Sequence, residues 1–183
     1  MDEHSQKIWT YDDLPDDGQR YEIIDGELFV SPAPAKPHQH ALKRLFLAFV
    51  ALEHAKLATV WFAPFDVKLS PTRVVEPDLF VIRWGRTSAF GPRVVEEAPD
   101  LIVEVLSPST AKHDRTRKRR FYAQSRVREY WLVDPETESI EVLYLDNDAL
   151  SYRTAAWAGP GEHVKSVTFD LEIDVDAIFR ADD

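Results

Sequence analysis

Three acidic residues, Glu22, Asp78 and Glu104, sit inside or beside runs that are otherwise apolar and β-rich: Tyr21-Glu22-Ile23-Ile24, the segment VVEPDLFVI at 74–82, and Leu101-Ile102-Val103-Glu104-Val105-Leu106. Burying an unpaired carboxylate costs several kcal/mol, so each of these groups must be protonated, paired or bound to a cation. Asp78 and Glu104 on neighbouring strands, where the chain turns, would make a hard-oxygen site. Oxygen donors of that kind select Mg²⁺ or Mn²⁺ over thiophilic metals. Such an ion polarises a phosphoryl oxygen and lowers the pKa of a bound water, which is the chemistry of phosphodiester hydrolysis. The competing reading is structural, with each acid paired to an arginine or to backbone amides.

The segment after Glu104 supplies opposite charge. Residues 111–129 hold eight Lys and Arg against Asp114 and Glu129, a net of +6, while the whole chain carries −10 and the remainder therefore −16. An acidic body argues against broad, non-specific nucleic-acid binding, but one basic face still addresses a phosphate backbone locally. Lys112, Arg115 and Arg119 are the candidate substrate contacts on that face. The alternative is a solvated helix face that balances neighbouring acids. Asp114, Lys118 and Tyr122 recur every four residues and so share one helical face. A lysine there, beside two metal-bound carboxylates, would stabilise developing negative charge or orient a water, and the Tyr122 hydroxyl would reach the same place.

These residues need a scaffold, and the pattern supplies one. Asp25-Gly26 between Tyr21–Ile24 and Glu27–Val30 is a strong hairpin signal. The proline-rich stretch 31–37 reads as an extended connector. From His38 to Lys56, Leu42, Leu45, Phe46, Phe49, Val50 and Leu52 form the stripe of an amphipathic helix. Val60–Leu69 and Val74–Ile82 read as two antiparallel strands, and 83–100 as a loop long enough to be functional. Leu101–Leu106, the basic helix and Glu129–Val133 make a βαβ unit with parallel strands. Ser107-Pro108-Ser109-Thr110 breaks the first of these strands and offers side-chain oxygens to cap the helix. Ser107 is accordingly a cap residue or, alternatively, a hydrogen-bond partner for the site. Ile140–Leu145, Leu150–Thr154 and Val164–Phe169 suggest an antiparallel meander, and Val175–Phe179 a terminal helix. His38 and His40 lie two apart near a helix start and point about 200° apart, which argues against their chelating one ion. Trp61, Phe62, Phe65, Tyr130 and Trp131 read as core rather than as a platform for bases.

With 183 residues, 44% of them hydrophobic, the chain suits a single domain over 1–183, with 1–20 as an N-terminal extension. No apolar run is long enough to span a bilayer, no signal-peptide order is seen, and the absence of cysteine excludes thiolate metal sites. A cytoplasmic protein is the default expectation.

The motifs YEIIDGEL, VVEPDLFVI, PDLIVEVLSPSTAKHDRTRKRRFY and REYWLVDPE, in that order from 21 to 145, resemble a widespread bacterial family of restriction-endonuclease-like proteins. That family, formerly a domain of unknown function, belongs to the PD-(D/E)XK nuclease superfamily. The resemblance implies an α/β fold with a mixed central sheet flanked by helices. It further implies a Mg²⁺- or Mn²⁺-dependent endonuclease acting on DNA, with Asp78 and Glu104 as metal ligands and Glu22 as a further metal-proximal acid. Where the superfamily carries a lysine two residues after this Glu, the chain has Leu106. The family pattern moves the lysine to the following helix, at Lys118, with Lys112, Arg115 and Arg117 as nearby alternatives. It also places a histidine at position 38, at the rim of the site. Nucleases of this superfamily commonly act as homodimers. The departure at Leu106 keeps a second expectation open, a catalytically weak or inactive module that binds nucleic acid or protein on the same fold.

Overall fold

The computed structural model describes residues 7–180. Its centre is a six-stranded mixed sheet in the order β10-β9-β8-β7-β6-β3. The strands are β3 (Ala58–Phe62), β6 (Leu79–Arg83), β7 (Leu101–Val105), β8 (Glu129–Asp134), β9 (Ser139–Asp146) and β10 (Ser151–Ala158). β7 and β8 run parallel and every other neighbour pair is antiparallel. A four-stranded sheet in the order β2-β1-β5-β4 is built from β1 (Arg20–Ile24), β2 (Glu27–Ser31), β4 (Val67–Ser70) and β5 (Arg73–Val75).

Alternation along β7 assigns its two faces. Leu101, Val103 and Val105 pack with Leu45, Phe49 and Leu52 of helix α1 (Lys36–His54) in one core. On the other face Ile102 packs with Phe121 and Tyr122 of helix α3 (Arg119–Gln124) and with Ile24 and Val75 of the small sheet. Glu104 falls on this second face. Helix α3 is reached through a short helical turn α2 (Ala111–His113) and a π turn (Asp114–Lys118).

The hairpin forms at Asp25-Gly26, with Ile24 paired to Glu27 and φ of +51° and +83° at the two turn residues. These angles are those of a turn whose twist matches the flanking strands. A Cβ on Gly26 would lie 2.9 Å from Ile8 Cγ2, so glycine is required there for approach as well as for conformation.

Four expectations need correction. Val60–Leu69 and Val74–Ile82 are each two strands rather than one, because Pro64 and Pro77 lack the N–H that would continue a ladder. The antiparallel hairpin between them is real, but it bends between sheets: β3 pairs with β6 in the large sheet and β4 with β5 in the small one. The meander stops at β10. Val164 lies instead on β11 (His163–Lys165), which pairs with β12 (Glu172–Asp174) as a separate ribbon before helix α4 (Val175–Phe179). The basic helix is not regular, since Arg119 N–H bonds Asp114 O across the π turn. Its start carries no side-chain cap; the Ser107 carbonyl accepts from the Thr110 and Ala111 amides. The loop 84–100 is tied down by Arg86, which bonds Asp100 and Glu97 at 2.8 Å each. No helix of the described residues is long and apolar enough to cross a membrane.

Glu129, an acid in the apolar run of β8, is fully buried and entirely structural in its bonding. It accepts from Trp131 Nε1 (2.6 Å), Ser166 Oγ (3.0 Å) and the amides of Val167 and Thr168 (2.7 Å for the latter), tying β8 to the segment before β12. Each buried donor left unpaired costs about 1–3 kcal/mol. Glu129→Leu is therefore expected to lose at least about 3 kcal/mol in urea unfolding; a loss under roughly 0.5 kcal/mol, the range of a surface substitution, would contradict this role.

Candidate active site

Strand register brings the site together. β6 and β7 pair antiparallel with Leu79 opposite Val103, so the next pair along places Asp78 opposite Glu104. Directly opposed residues on one face have Cβ atoms about 4.5–5.5 Å apart. Asp78 Oδ2 also accepts the Val105 amide at 2.9 Å, which locks it to the end of β7. Pro77 ends the preceding strand, so Asp78 stands where the chain leaves the small sheet and enters the large one.

Glu22 arrives from β1. Its Oε1 accepts the Glu76 amide at 3.2 Å and lies 2.9 Å from Lys118 Nζ. Lys118 Nζ also donates to Glu104 Oε1 at 2.9 Å and lies 3.7 Å from Asp114 Oδ1. Tyr122 OH donates to the same Glu104 oxygen at 2.7 Å. His38 Nε2 is 3.0 Å from Asp78 Oδ2. Glu22, His38, Asp78, Glu104, Asp114 and Lys118 are all at least 92% buried, and all border one cleft of roughly 640 Å³.

The charges in this cluster do not balance. Four buried acids surround one lysine, and the fifth acid at the rim, Glu76, is paired with Arg20. Burial, followed by the charges of Asp78, Asp114 and Glu22, pushes the Glu104 carboxyl well above its ordinary value, despite the opposing pull of Lys118. Asp114 is raised by burial too, with Lys118 and Thr110 opposing. Asp78 behaves differently: burial raises it, but the hydrogen bond and charge of His38, the charge of Lys118 and the Val105 amide together hold it below the usual range. For Lys118 burial works against the ammonium, and the charges of Glu104, Glu22 and Asp114 overcome it, so it stays protonated. Tyr122, raised by burial and then by Glu104 and Glu22, remains a hydroxyl donor.

Of the residues singled out in the sequence, the fold gathers Glu22, Asp78, Glu104 and Lys118 at one point, with Tyr122 behind Glu104. Ser107 borders the cleft while its Oγ lies 3.0 Å from the hydroxyls of Ser109 and Thr110. The basic helix turns most of its charge elsewhere. Arg115 bonds Asp134 at 2.9 Å, Arg117 bonds Glu27 at 2.6 Å, and Arg119 bonds the Tyr152 carbonyl at 3.1 Å. Neither Lys112, Arg115 nor Arg119 borders the cleft, whose positive side chains among the described residues are Lys118 and Arg20. Arg20 and Glu76 had not stood out in the sequence. The bracketing of Pro77 by two acids was the available signal for Glu76. His38 lies four residues before Leu42 on the buried stripe of α1, so the same periodicity that found the helix core already turned it inward.

The donor set suits a hard cation. Hydrogen bonds to Asp78, Glu104 and Glu22 each fall on one oxygen, Oδ2, Oε1 and Oε1 respectively, and the second oxygen of each makes none among the described residues. The surplus of buried negative charge favours positive charge arriving from outside. Against this, no three acidic or imidazole groups among the described residues already stand in a metal-binding arrangement, and the Lys118 ammonium lies between Glu22 and Glu104.

Known proteins resemble this chain in family and in fold. A family model described as "Uma2: Putative restriction endonuclease" matches residues 9–176. An uncharacterized protein of Synechocystis sp. is 25% identical over 170 residues, covering 88% of this chain and 84% of that protein. A solved structure from Anabaena variabilis, described as "a putative nuclease belonging to DUF820", matches with a TM-score of 0.75 at 19% identity. It covers 93% of this chain and 97% of that one, so the two share a fold, and with it the mixed sheet flanked by helices.

Because Glu104 and Asp114 titrate above their ordinary values, the folded chain binds more protons than the unfolded chain between the two ranges, and its stability falls as pH rises through that window. Asp78 has the opposite sign and acts only at lower pH, below its ordinary 3.8. In EDTA, the melting temperature is expected to rise on mild acidification from neutral pH, and Glu104→Gln is expected to flatten that slope while raising stability at neutral pH. Lys118→Met, which strands the acids, is expected to cost about 3–5 kcal/mol. A pH profile identical in wild type and Glu104→Gln would contradict this electrostatic assignment.

Proposed function

The chain belongs to the Uma2 family, its model matching residues 9–176, and from that membership and the acid cluster we propose that it is a divalent-metal-dependent endonuclease that hydrolyses phosphodiester bonds in DNA. The observation that carries this reading is the set of four buried acids around Lys118 at the floor of an open cleft. Asp78 and Glu104 would hold Mg²⁺ or Mn²⁺ by their uncommitted oxygens, and the ion would polarise the phosphoryl oxygen and lower the pKa of a bound water.

The chain's own residues have separate tasks. His38 and the Val105 amide keep Asp78 ionised and fixed in place, with the His38 ring nitrogen donating to it. Tyr122 and Lys118 fix Glu104 through one oxygen and leave the other without a hydrogen bond among the described residues. Lys118 keeps a positive charge in a water-poor site, where it stabilises negative charge developing on the phosphoryl group. Glu22 and Asp114 hold that ammonium charged and in place. Arg20 is the guanidinium at the cleft, suited to a bidentate grip on a phosphate. Lys112, Arg115 and Arg119 act in this reading as the positive flank that draws the substrate in. The surface ion pairs of Arg115 with Asp134 and Glu141 are worth about 0–1 kcal/mol each, so a phosphate can displace those carboxylates. Cutting both strands of a duplex calls for two such clefts, which is the reason to propose a homodimer.

One observation favours a second reading. Lys118 already sits between Glu22 and Glu104, as a structural ammonium would. The chain would then be a module that binds nucleic acid or protein without turnover, and its DNA affinity would fall steeply with salt while no product formed.

Plasmid and oligonucleotide DNA incubated with the purified protein in Mg²⁺ and in Mn²⁺ separates the two. Cleavage is expected, with kcat lowered at least about 100-fold in Asp78→Asn and in Glu104→Gln, as for loss of a group that stabilises the transition state. No cleavage with either metal, or cleavage indifferent to both substitutions, would contradict the nuclease reading.

A further inference from the structure

A second pocket, about 610 Å³, adjoins the acid cleft and shares Arg20, Glu76 and Asp78 with it. Beside Gln19, Gln39 and Lys43, its remaining wall is apolar and aromatic: Leu42 and Phe46 from α1, Phe62 from the end of β3, and Pro64. Phe62 and Phe46 form an edge-to-face pair with centroids 4.8 Å apart. The sequence assigned Phe62 to the core, yet it is 49% exposed, and Trp61 beside it 38%, whereas Tyr130 and Trp131 are fully buried as expected. Phe62 is paired with Leu79, and Ala63 N–H bonds the Asp78 carbonyl at 3.1 Å, so the exposed ring stands within a residue or two of the metal-site aspartate. The Gln39 side chain borders the same pocket and offers both a donor and an acceptor.

We infer that this pocket receives an unpaired nucleobase next to the scissile phosphate, stacked on Phe62. The inference rests on the reading of the acid cleft as a phosphodiester site. A strand with one phosphate over Asp78 and Arg20 must put a flanking base toward the cleft or toward the pocket. The cleft offers carboxylates, and the pocket an aromatic surface with an amide at its edge. A base offers an apolar face and a polar edge, which matches that wall, and stacking on an aromatic ring tolerates any base. The substrate class is therefore nucleic acid that is single-stranded, frayed or unstacked at the point of attack, since a base inside a duplex has no free face to offer.

The test uses the wild-type protein in EDTA, where binding is read without cleavage. Fluorescence anisotropy gives Kd for a short single-stranded oligonucleotide and for a series in which each nucleoside in turn is replaced by an abasic one. One position is expected to weaken binding by about 5- to 150-fold, the range for loss of one base stack. Phe62→Ala is expected to abolish that position dependence, and Phe62→Trp to retain it. Parallel DNA and RNA series show whether the sugar is also read, and a position effect in either one supports the pocket. A flat series, a position effect that persists in Phe62→Ala, or no oligonucleotide binding at all would overturn the inference. Binding with the position effect but no cleavage in Mg²⁺ or Mn²⁺ would leave it standing while contradicting the nuclease reading.

Discussion

One buried ammonium holds the site together. Lys118 Nζ lies within 2.9 Å of both Glu22 and Glu104, and Asp114 closes the third side at 3.7 Å. Without it the end of β7, the start of β6 and the core-facing side of β1 would present mutually repelling carboxylates in a region that water scarcely reaches. With it they converge, but four carboxyl groups still face one ammonium. A cluster built for stability alone would be expected to balance, because buried ions carry a large desolvation cost. Glu129, on the next strand, has no ion pair among the described residues but has both oxygens hydrogen-bonded, by the Trp131 indole, the Ser166 hydroxyl and backbone amides, so it leaves no acceptor open. The acids outnumbering Lys118, together with the oxygens of Asp78, Glu104 and Glu22 that accept no hydrogen bond among the described residues, are the physical ground for reading this cluster as a binding site for positive charge and the Glu129 cluster as a fastening.

Backbone irregularities put the groups where they are. Pro77 ends β5 and frees Asp78 to stand at the first turn into the large sheet, opposite Glu104. The π turn at 114–118 carries both Asp114 and Lys118, and turns of this kind concentrate at functional sites. The proline-rich connector delivers α1 at Lys36, so that His38, in its first turn, reaches Asp78. Three elements that a regular pattern would have continued are each interrupted beside the same cleft.

Much of this was legible in the sequence. Period-two runs and Asp25-Gly26 gave the strands and the hairpin, and the β-branched run with its single Glu gave β7 and its acid. The four-residue spacing of Asp114, Lys118 and Tyr122 brought all three to the site. What could not be read was the consequence of two prolines: each of two apparent strands was divided between two sheets, because apolar periodicity records burial and not which sheet does the burying. Side-chain destinations were equally hidden. Arg115, Arg117 and Arg119 look like a phosphate-binding row in one dimension, but their partners Asp134, Glu27 and the Tyr152 carbonyl lie 19 to 90 residues away. For His38 the spacing from Leu42, which turns it to the buried stripe of α1, carries the information, and the spacing from His40 carries none. Glu129 could not be told from Glu104 by pattern, since both are single acids in apolar strands and only tertiary partners distinguish them.

The central claim is that the unspent oxygens of Asp78 and Glu104 meet around a divalent cation. Crystals grown in EDTA and soaked in Mn²⁺ test it directly by anomalous scattering. The account predicts an anomalous peak in contact with oxygens of both residues, with Lys118 still bonded to Glu104. A soaked crystal with no peak at that position, or with manganese bound only at the protein surface, would contradict it.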